Sequence, residues 1–181
     1  MSKLPFFLDV NVPMYAAGKP HPYQAACAWI MTEIAHGRAT VAIDTEIIQE
    51  ILYRFGALQQ WQVGTQMAST VLALVPEVYA VTRQDAVRAV ALFAAYGSLG
   101  VRARDVVHVA VMQGRGLTSV ISTDTHFDLV PGIVRLDPVD LYQRQQIGKG
   151  AVVIRRLLEG HNLVGRDGKG ALERVAVCQV A

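Results

Sequence analysis

Acidic side chains stand beside apolar, β-branched runs at several separated points of the chain: Asp9 in "FFLDVNVPMYAAG", Asp44, Glu46 and Glu50 in "VAIDTEIIQEILYRF", Asp105 in "RARDVVHVAVMQG", and Asp124 and Asp128 in "ISTDTHFD". Carboxylates gathered in a small space repel one another, which raises some of their pKa values until a cation relieves the repulsion. Hard oxygen donors of this kind suit Mg²⁺ or Mn²⁺, and an ion held by them serves the hydrolysis of phosphodiester bonds. Each acid also has an ordinary use as a helix cap or a solvated side chain. The chemistry therefore depends on which acids the fold brings together.

Local geometry separates some of them. Asp9 and Asn11 are two residues apart, so both either project from one strand-to-helix turn or cap the helix that follows. At 100° per residue, Ile47, Ile48, Ile51, Leu52 and Phe55 form one apolar stripe with Glu50 at its edge, and Glu46 lies nearly opposite. Glu50 can face a cleft, Glu46 faces water in the first helical turn, and Asp44 fits the N-cap. The segment around Asp105 and His108 is apolar almost all round, which predicts a buried helix. An aspartate on it must cap the helix, pair with Arg102 or Arg104, or serve a site. His108 bonds a carboxylate, approaches a leaving phosphate, or is a satisfied buried histidine, while His126 reads as a surface loop residue. Ser122 is placed either to orient a carboxylate or phosphate or simply to end a strand.

The elements that must position these groups alternate. Strands are expected at residues 4–9, 39–43, 77–81 and 117–122, with a last one in "GIVRLDP". Helices are expected from Pro13 to Gly18 and over 23–36, 44–55, 58–74, 82–96 and 104–113, with Thr82 as an N-cap. Strands separated by helices in this way predict a three-layer α/β/α fold around a mainly parallel sheet of four to five strands. Ligands of such sheets bind outside the carboxyl ends of the strands, where Asp9, Asp44 and Asp124 all fall.

The chain has 181 residues, 52% hydrophobic and 18% charged, with a net charge of +2. This suits one domain over 1–144 and a glycine- and charge-rich C-terminal extension over 145–181, a mobile appendage carrying one helix at 151–159. No apolar run reaches the roughly 18 residues of a membrane span, and "LPFFL" is too short for a signal peptide, so a soluble cytoplasmic protein with no membrane partner is expected. Cys27 and Cys178 have neither disulfide nor zinc spacing. The absence of GxSxG, Walker and GxGxxG motifs weakens the case for a small-molecule hydrolase on another α/β sheet.

Taken together, these spans resemble the PIN domain, the fold of VapC-type toxin ribonucleases, over about residues 4–140. The specific part is Arg-Asp-x-x-His-x-Ala from Arg104, then Ser-x-Asp-x-x-Phe-Asp from Ser122, Pro-Gly and Asp-Pro in that order. The resemblance implies that Asp9, Glu50, Asp105 and Asp124 form the catalytic and metal-binding set, and through "QEILY" it selects Glu50 over Glu46. Asn11, Ser122, His108 and Asp128 are the candidates to support that set. Two departures stand out: Asp44 replaces the Ser or Thr of many relatives, and Asp128 is an additional acid. The implied function is a Mg²⁺- or Mn²⁺-dependent endoribonuclease acting on single-stranded or looped RNA, with an antitoxin partner and self-association as a homodimer or larger. Lys19, Arg54, Arg102, Arg104 and Arg115 are the cations available to phosphate. The competing reading is a noncatalytic RNA- or protein-binding module on the same fold.

Overall fold

Five short strands, β1 (Phe6–Leu8), β2 (Val41–Asp44), β3 (Glu77–Tyr79), β4 (Ser119–Ile121) and β5 (Val134–Leu136), form one parallel sheet in the order β3-β2-β1-β4-β5. The computed structural model describes residues 4–146. The helices are α1 (Asn11–Ala17), α2 (Gln24–Ala35), α3 (Thr45–Ala57), α4 (Trp61–Leu74), α5 (Arg83–Tyr96), α6 (Ala103–Gly114) and α7 (Pro138–Gln146). They complete a three-layer α/β/α architecture, as expected. The strands are shorter than the expected runs, and β2 is shifted to end on Asp44 itself.

Strand order explains where a site can open. From β1 the chain moves to β2 and β3 in one direction, then crosses back to β4 and on to β5. With right-handed crossovers, this reversal puts α5 and α6 on the opposite face from the helices linking β1, β2 and β3. The adjacent carboxyl ends of β1 and β4 therefore diverge to different faces and leave a crevice between them. Phe7 pairs with Val120 and Leu8 with Ile121, and the backbone N–H of Asp9 donates to the Ile121 carbonyl at 3.1 Å. Asp9 and the segment after β4 are thus fixed side by side at that crevice.

The core is continuous across the sheet. Phe7, Leu8, Ile43, Val120 and Ile121 are buried on the strands, and α6 is buried on most sides, with Val109, Ala110, Val111 and Met112 inaccessible. Each fully buried aliphatic or aromatic side chain contributes roughly 1.5–3 kcal/mol. On α3 the expected stripe is narrower than its periodicity suggests: Ile47 and Ile51 are buried, whereas Leu52 is 47% exposed. The far end of α3 packs instead on α4, where a Cβ at Gly64 would lie 2.7 Å from Phe55 Cβ. A glycine permits that close approach.

Helix α7 was not anticipated. Asp137 Oδ1 accepts the Val139 N–H at 2.8 Å, Pro138 occupies the first helical position, and the helix packs Leu141 and Tyr142 toward α2. The Asp-Pro pair was a start signal in plain view, hidden by the short, polar sequence that follows. The helix continues to Gln146, two residues past the expected boundary at 144, while the expected helix at 151–159 lies outside the described residues. No helix among the described residues is long and apolar enough to cross a membrane. Cys27 is a free, buried thiol, pushed by burial up to about 12.

The expected Thr82 cap is part of a reciprocal arrangement. Asp85 N–H donates to Thr82 Oγ1 at 3.2 Å, while Asp85 Oδ2 accepts from Thr82 N–H at 2.9 Å and Thr82 O–H at 2.6 Å. Arg88 donates to Asp85 Oδ1 at 2.6 Å, below Gly114 at the end of α6. Burial opposes ionisation of Asp85, but the Thr82 donors and Arg88 outweigh it and hold the carboxyl below its usual range. Asp85→Asn is expected to cost about 1.5–3 kcal/mol at neutral pH by denaturant titration. In the relevant window the unfolded Asp85 binds more protons than the folded one, so the cost should fade as pH drops through the folded pKa; a deficit independent of pH would refute this account.

Candidate metal centre and active site

The first strand ends one residue before Asp9, whose buried carboxylate is held from two sides. Its Oδ2 accepts the Ser122 hydroxyl at 2.5 Å and the Asn11 amide at 2.8 Å. Burial raises the Asp9 pKa despite the Ser122 donor. Ser122 Oγ also accepts the Asp124 N–H at 2.9 Å, so one hydroxyl joins the ends of β1 and β4. Of the two readings of Ser122, orientation of a carboxylate is the one its contacts describe.

A second assembly connects α3 to α6. Asp44 caps α3 by accepting Ile47 N–H through Oδ1 at 3.2 Å, and its Oδ2 accepts from His108 Nδ1 at 2.9 Å. His108 Nε2 faces Glu50 Oε1 at 3.2 Å, and Arg104 reaches Glu50 Oε2 at 3.1 Å. Burial disfavours protonated His108, but the charge and hydrogen bond of Asp44 and the hydrogen bond of Glu50 prevail, taking its pKa to about 10. The imidazolium donates through both nitrogens to two acids. That occupation excludes the expected alternative in which His108 approaches a leaving phosphate, and leaves it as a buried, satisfied histidine. Asp44 both caps a helix and supplies half of the countercharge.

Asp105 enters from the first turn of α6, where its Oδ2 accepts the Arg102 N–H at 3.2 Å. Burial and the neighbouring Asp124 raise its pKa beyond what that hydrogen bond lowers it. Asp124 stands just beyond β4; its Oδ1 accepts the His126 backbone N–H at 3.0 Å, and Arg102 lies 3.6 Å from its Oδ2. This tight turn folds the His126 ring back over the acids, with Nδ1 2.7 Å from Asp124 Oδ1 and 3.7 Å from Asp105 Oδ2. His126 is therefore not the surface loop residue expected. Its nearness to two separated acids depends on the turn, which residue type alone did not reveal.

Asp9, Asn11, Glu50, Asp105 and Asp124 line one cleft of about 360 Å³. Tyr53, Arg54, Arg102 and Arg104 also line it, whereas Lys19 and Arg115 do not; Arg115 lies over the Tyr79 ring at 5.3 Å. Glu46 is absent from the cleft, in keeping with its position on α3. Asp128 is also absent, because it turns outward to Arg135, with both carboxylate oxygens 3.1 Å from Arg135 Nε. The donor set fits a divalent cation: hard oxygens dominate, Asp9 and Asp105 are disfavoured as isolated anions, and His126 Nδ1 is buried without a hydrogen-bond partner.

Residues 6–133 match the PIN domain family. The chain belongs to that family. It is 32% identical to Ribonuclease VapC13 of Mycobacterium tuberculosis over 129 residues, covering 71% of this chain and 97% of the relative. Identity to Ribonuclease VapC23 of the same species is 28% over 118 residues, 65% of this chain and 91% of that one. Among solved structures, the DNA-bound VapBC of Salmonella typhimurium is similar in fold, with a TM-score of 0.58 and 19% identity over 75% of this chain and 98% of the other.

The His108 bridge generates a stability prediction. His108→Leu leaves Asp44 and Glu50 facing each other in the core and should destabilise the protein by about 3–5 kcal/mol in EDTA, measured by urea unfolding. Because the folded pKa is raised from 6.5 to about 10, the native histidine's contribution is complete below 6.5 and declines as pH rises through about 10. A wild-type advantage that instead grows over this range would contradict a protonated bridge.

Proposed function

We propose that this protein is a divalent-metal-dependent endoribonuclease and the toxin of a toxin–antitoxin pair, with Asp9, Glu50, Asp105 and Asp124 holding Mg²⁺ or Mn²⁺. The observation that carries this reading is the meeting of four acids from four separated segments in one cleft beside the β1–β4 crevice. The ribonuclease names of the relatives support it.

When bound, the cation would supply Lewis acidity toward the phosphate and make water a better nucleophile. The protein's own part is positioning: Ser122 and Asn11 fix Asp9, and His108 and Arg104 fix Glu50. The acid cluster provides acceptors for the proton of the attacking water. Arg54, Arg102 and Arg104 ring the cleft, and the Arg102 and Arg104 side chains are more than half exposed, so they are available to RNA phosphates. Single-stranded or looped RNA can bend its backbone toward the acids in a way that a regular duplex cannot. The nuclease unit in this reading is residues 1–144, and α7 runs two residues beyond that boundary to Gln146.

Purified protein should cleave single-stranded RNA with Mn²⁺ or Mg²⁺ and lose this activity in EDTA. Asp105→Asn is expected to lower kcat/KM by about 100-fold or more. Because the folded Asp105 carboxyl is raised in pKa, its ionised form weakens the metal-free fold, so the same variant should match or exceed wild-type thermal stability in EDTA. RNA binding without metal-dependent turnover would favour the noncatalytic module instead.

The partner proposals rest on two apolar surfaces. A groove of about 690 Å³ between α1, α2 and α4 is lined by Ala16, Ala28, Met31, Val63, Met67 and Val71 among others, and suits an apolar antitoxin helix. Solved structures sharing the fold include toxin–antitoxin complexes, which supports that occupant. On α5, Val87, Val90 and Phe93 form an exposed stripe suited to self-association as a homodimer. In light scattering with a cognate antitoxin as partner, Met67→Glu should lose the heterocomplex but keep the homodimer. Val90→Glu should do the reverse; loss of both complexes in either variant would defeat the assignment of separate surfaces.

A further inference from the structure

We propose that His126 Nδ1 is a direct ligand of the divalent cation held by Asp105 and Asp124, and that this nitrogen tilts the site toward Mn²⁺ over Mg²⁺. The inference rests on the metal-dependent reading above and concerns a residue outside the four-acid set.

The backbone builds this position. The Asp124 carboxylate accepts the His126 N–H, and a single 3-10 turn follows over Thr125–Leu129. The next residue, Phe127, is buried and anchors that turn in the core. His126 is thereby held between an anchored backbone and the two carboxylates, with its side chain about three-quarters buried. The donor atoms of Asp105, Asp124 and His126 all lie within 4.8 Å of one another.

The ring nitrogen touches the Asp124 carboxylate without an aligned hydrogen bond. Nδ1 is inaccessible to water and makes no hydrogen bond: the Asp124 oxygen at 2.7 Å lies off the direction a ring N–H would need, and the Asp105 oxygen at 3.7 Å is too far. A buried nitrogen in that state normally has a partner. Metal bonds of about 2.0–2.2 Å put neighbouring donors roughly 3 Å apart and opposite donors roughly 4 Å apart. The observed separations of 2.7 and 3.7 Å fall close to that range, and one ion would satisfy the nitrogen and both oxygens. His108 cannot substitute, since Asp44 and Glu50 occupy both its nitrogens.

The ligand type sets the preference. Both ions suit oxygen donors, but Mg²⁺ holds to oxygen and retained water more strictly, whereas Mn²⁺, a transition ion, accepts an imidazole nitrogen more readily than Mg²⁺ does. An all-oxygen site would discriminate less between the two.

Electron spin echo envelope modulation of the Mn²⁺-loaded full chain tests the assignment. The wild-type protein should show ¹⁴N coupling from a directly bound imidazole, and His126→Ala should lose it. The free-Mn²⁺ signal should report an affinity about tenfold lower in His126→Ala, while Mg²⁺ affinity changes by less than about twofold. Bound Mn²⁺ without ¹⁴N coupling in wild type, coupling that persists in His126→Ala, or equal losses for the two ions would overturn the role of His126 and leave the metal-dependent reading standing. Failure of the wild-type chain to bind Mn²⁺ while it binds Mg²⁺ would overturn this inference alone, and failure to bind either ion would remove the metal-dependent reading with it.

Discussion

A carboxylate taken out of water repels its like neighbours and is stable only where donors or positive charge reach it. Here Asp9, Asp44, Glu50 and Asp105 are all buried near one edge of the sheet, with Asp124 beside them. Much of the local architecture answers that repulsion. Ser122 and Asn11 donate to Asp9, His108 lies between Asp44 and Glu50, and the arginines at the cleft rim approach Glu50 and Asp124. The acids on the inner side have fixed partners. Those opening into the cleft retain a deficit of positive charge, which a cation can fill.

The sheet makes this concentration of charge structurally tolerable. Reversal of strand order between β1 and β4 sends the segments that follow them to different faces and leaves room at the carboxyl ends. Meanwhile the apolar centre of the sheet and the nearly encircled α6 anchor the segments carrying Asp9, Asp105 and Asp124. The cost of holding acids together is localised at the sheet edge, while hydrophobic burial stabilises the frame behind it. Asp44 shows how closely the two requirements are joined, because one side chain ends a strand, starts a helix and balances the imidazolium.

Much of this was legible in one dimension. The alternation of apolar runs and amphipathic helices defined an α/β sheet, since hydrophobic period is a local property. Helical phase placed Glu50 toward a cleft and Glu46 away from it, and the ring of apolar residues around Asp105 announced a buried helix. Some details were misread where local pattern yields to tertiary context. Leu52 belongs to an apolar stripe yet remains exposed, because α4 takes over the contact beyond Ile51. The short α7 was missed because its polar residues obscured the cap formed by Asp137 and Pro138.

By itself, the sequence determined the kinds of donor available and the order of the strands and of every helix except α7, because residue chemistry and periodicity are encoded along the chain, and its motifs carried the resemblance to the PIN domain. The tertiary structure decided their partners. Only folding could assign His108 to two buried acids, turn Asp128 outward to Arg135, and bring His126 over Asp105 and Asp124. Asp44 is 64 residues from His108, and no local rule spans that separation. Distances between side chains arise from how strands pair and turns close, and those distances establish which acids share charge.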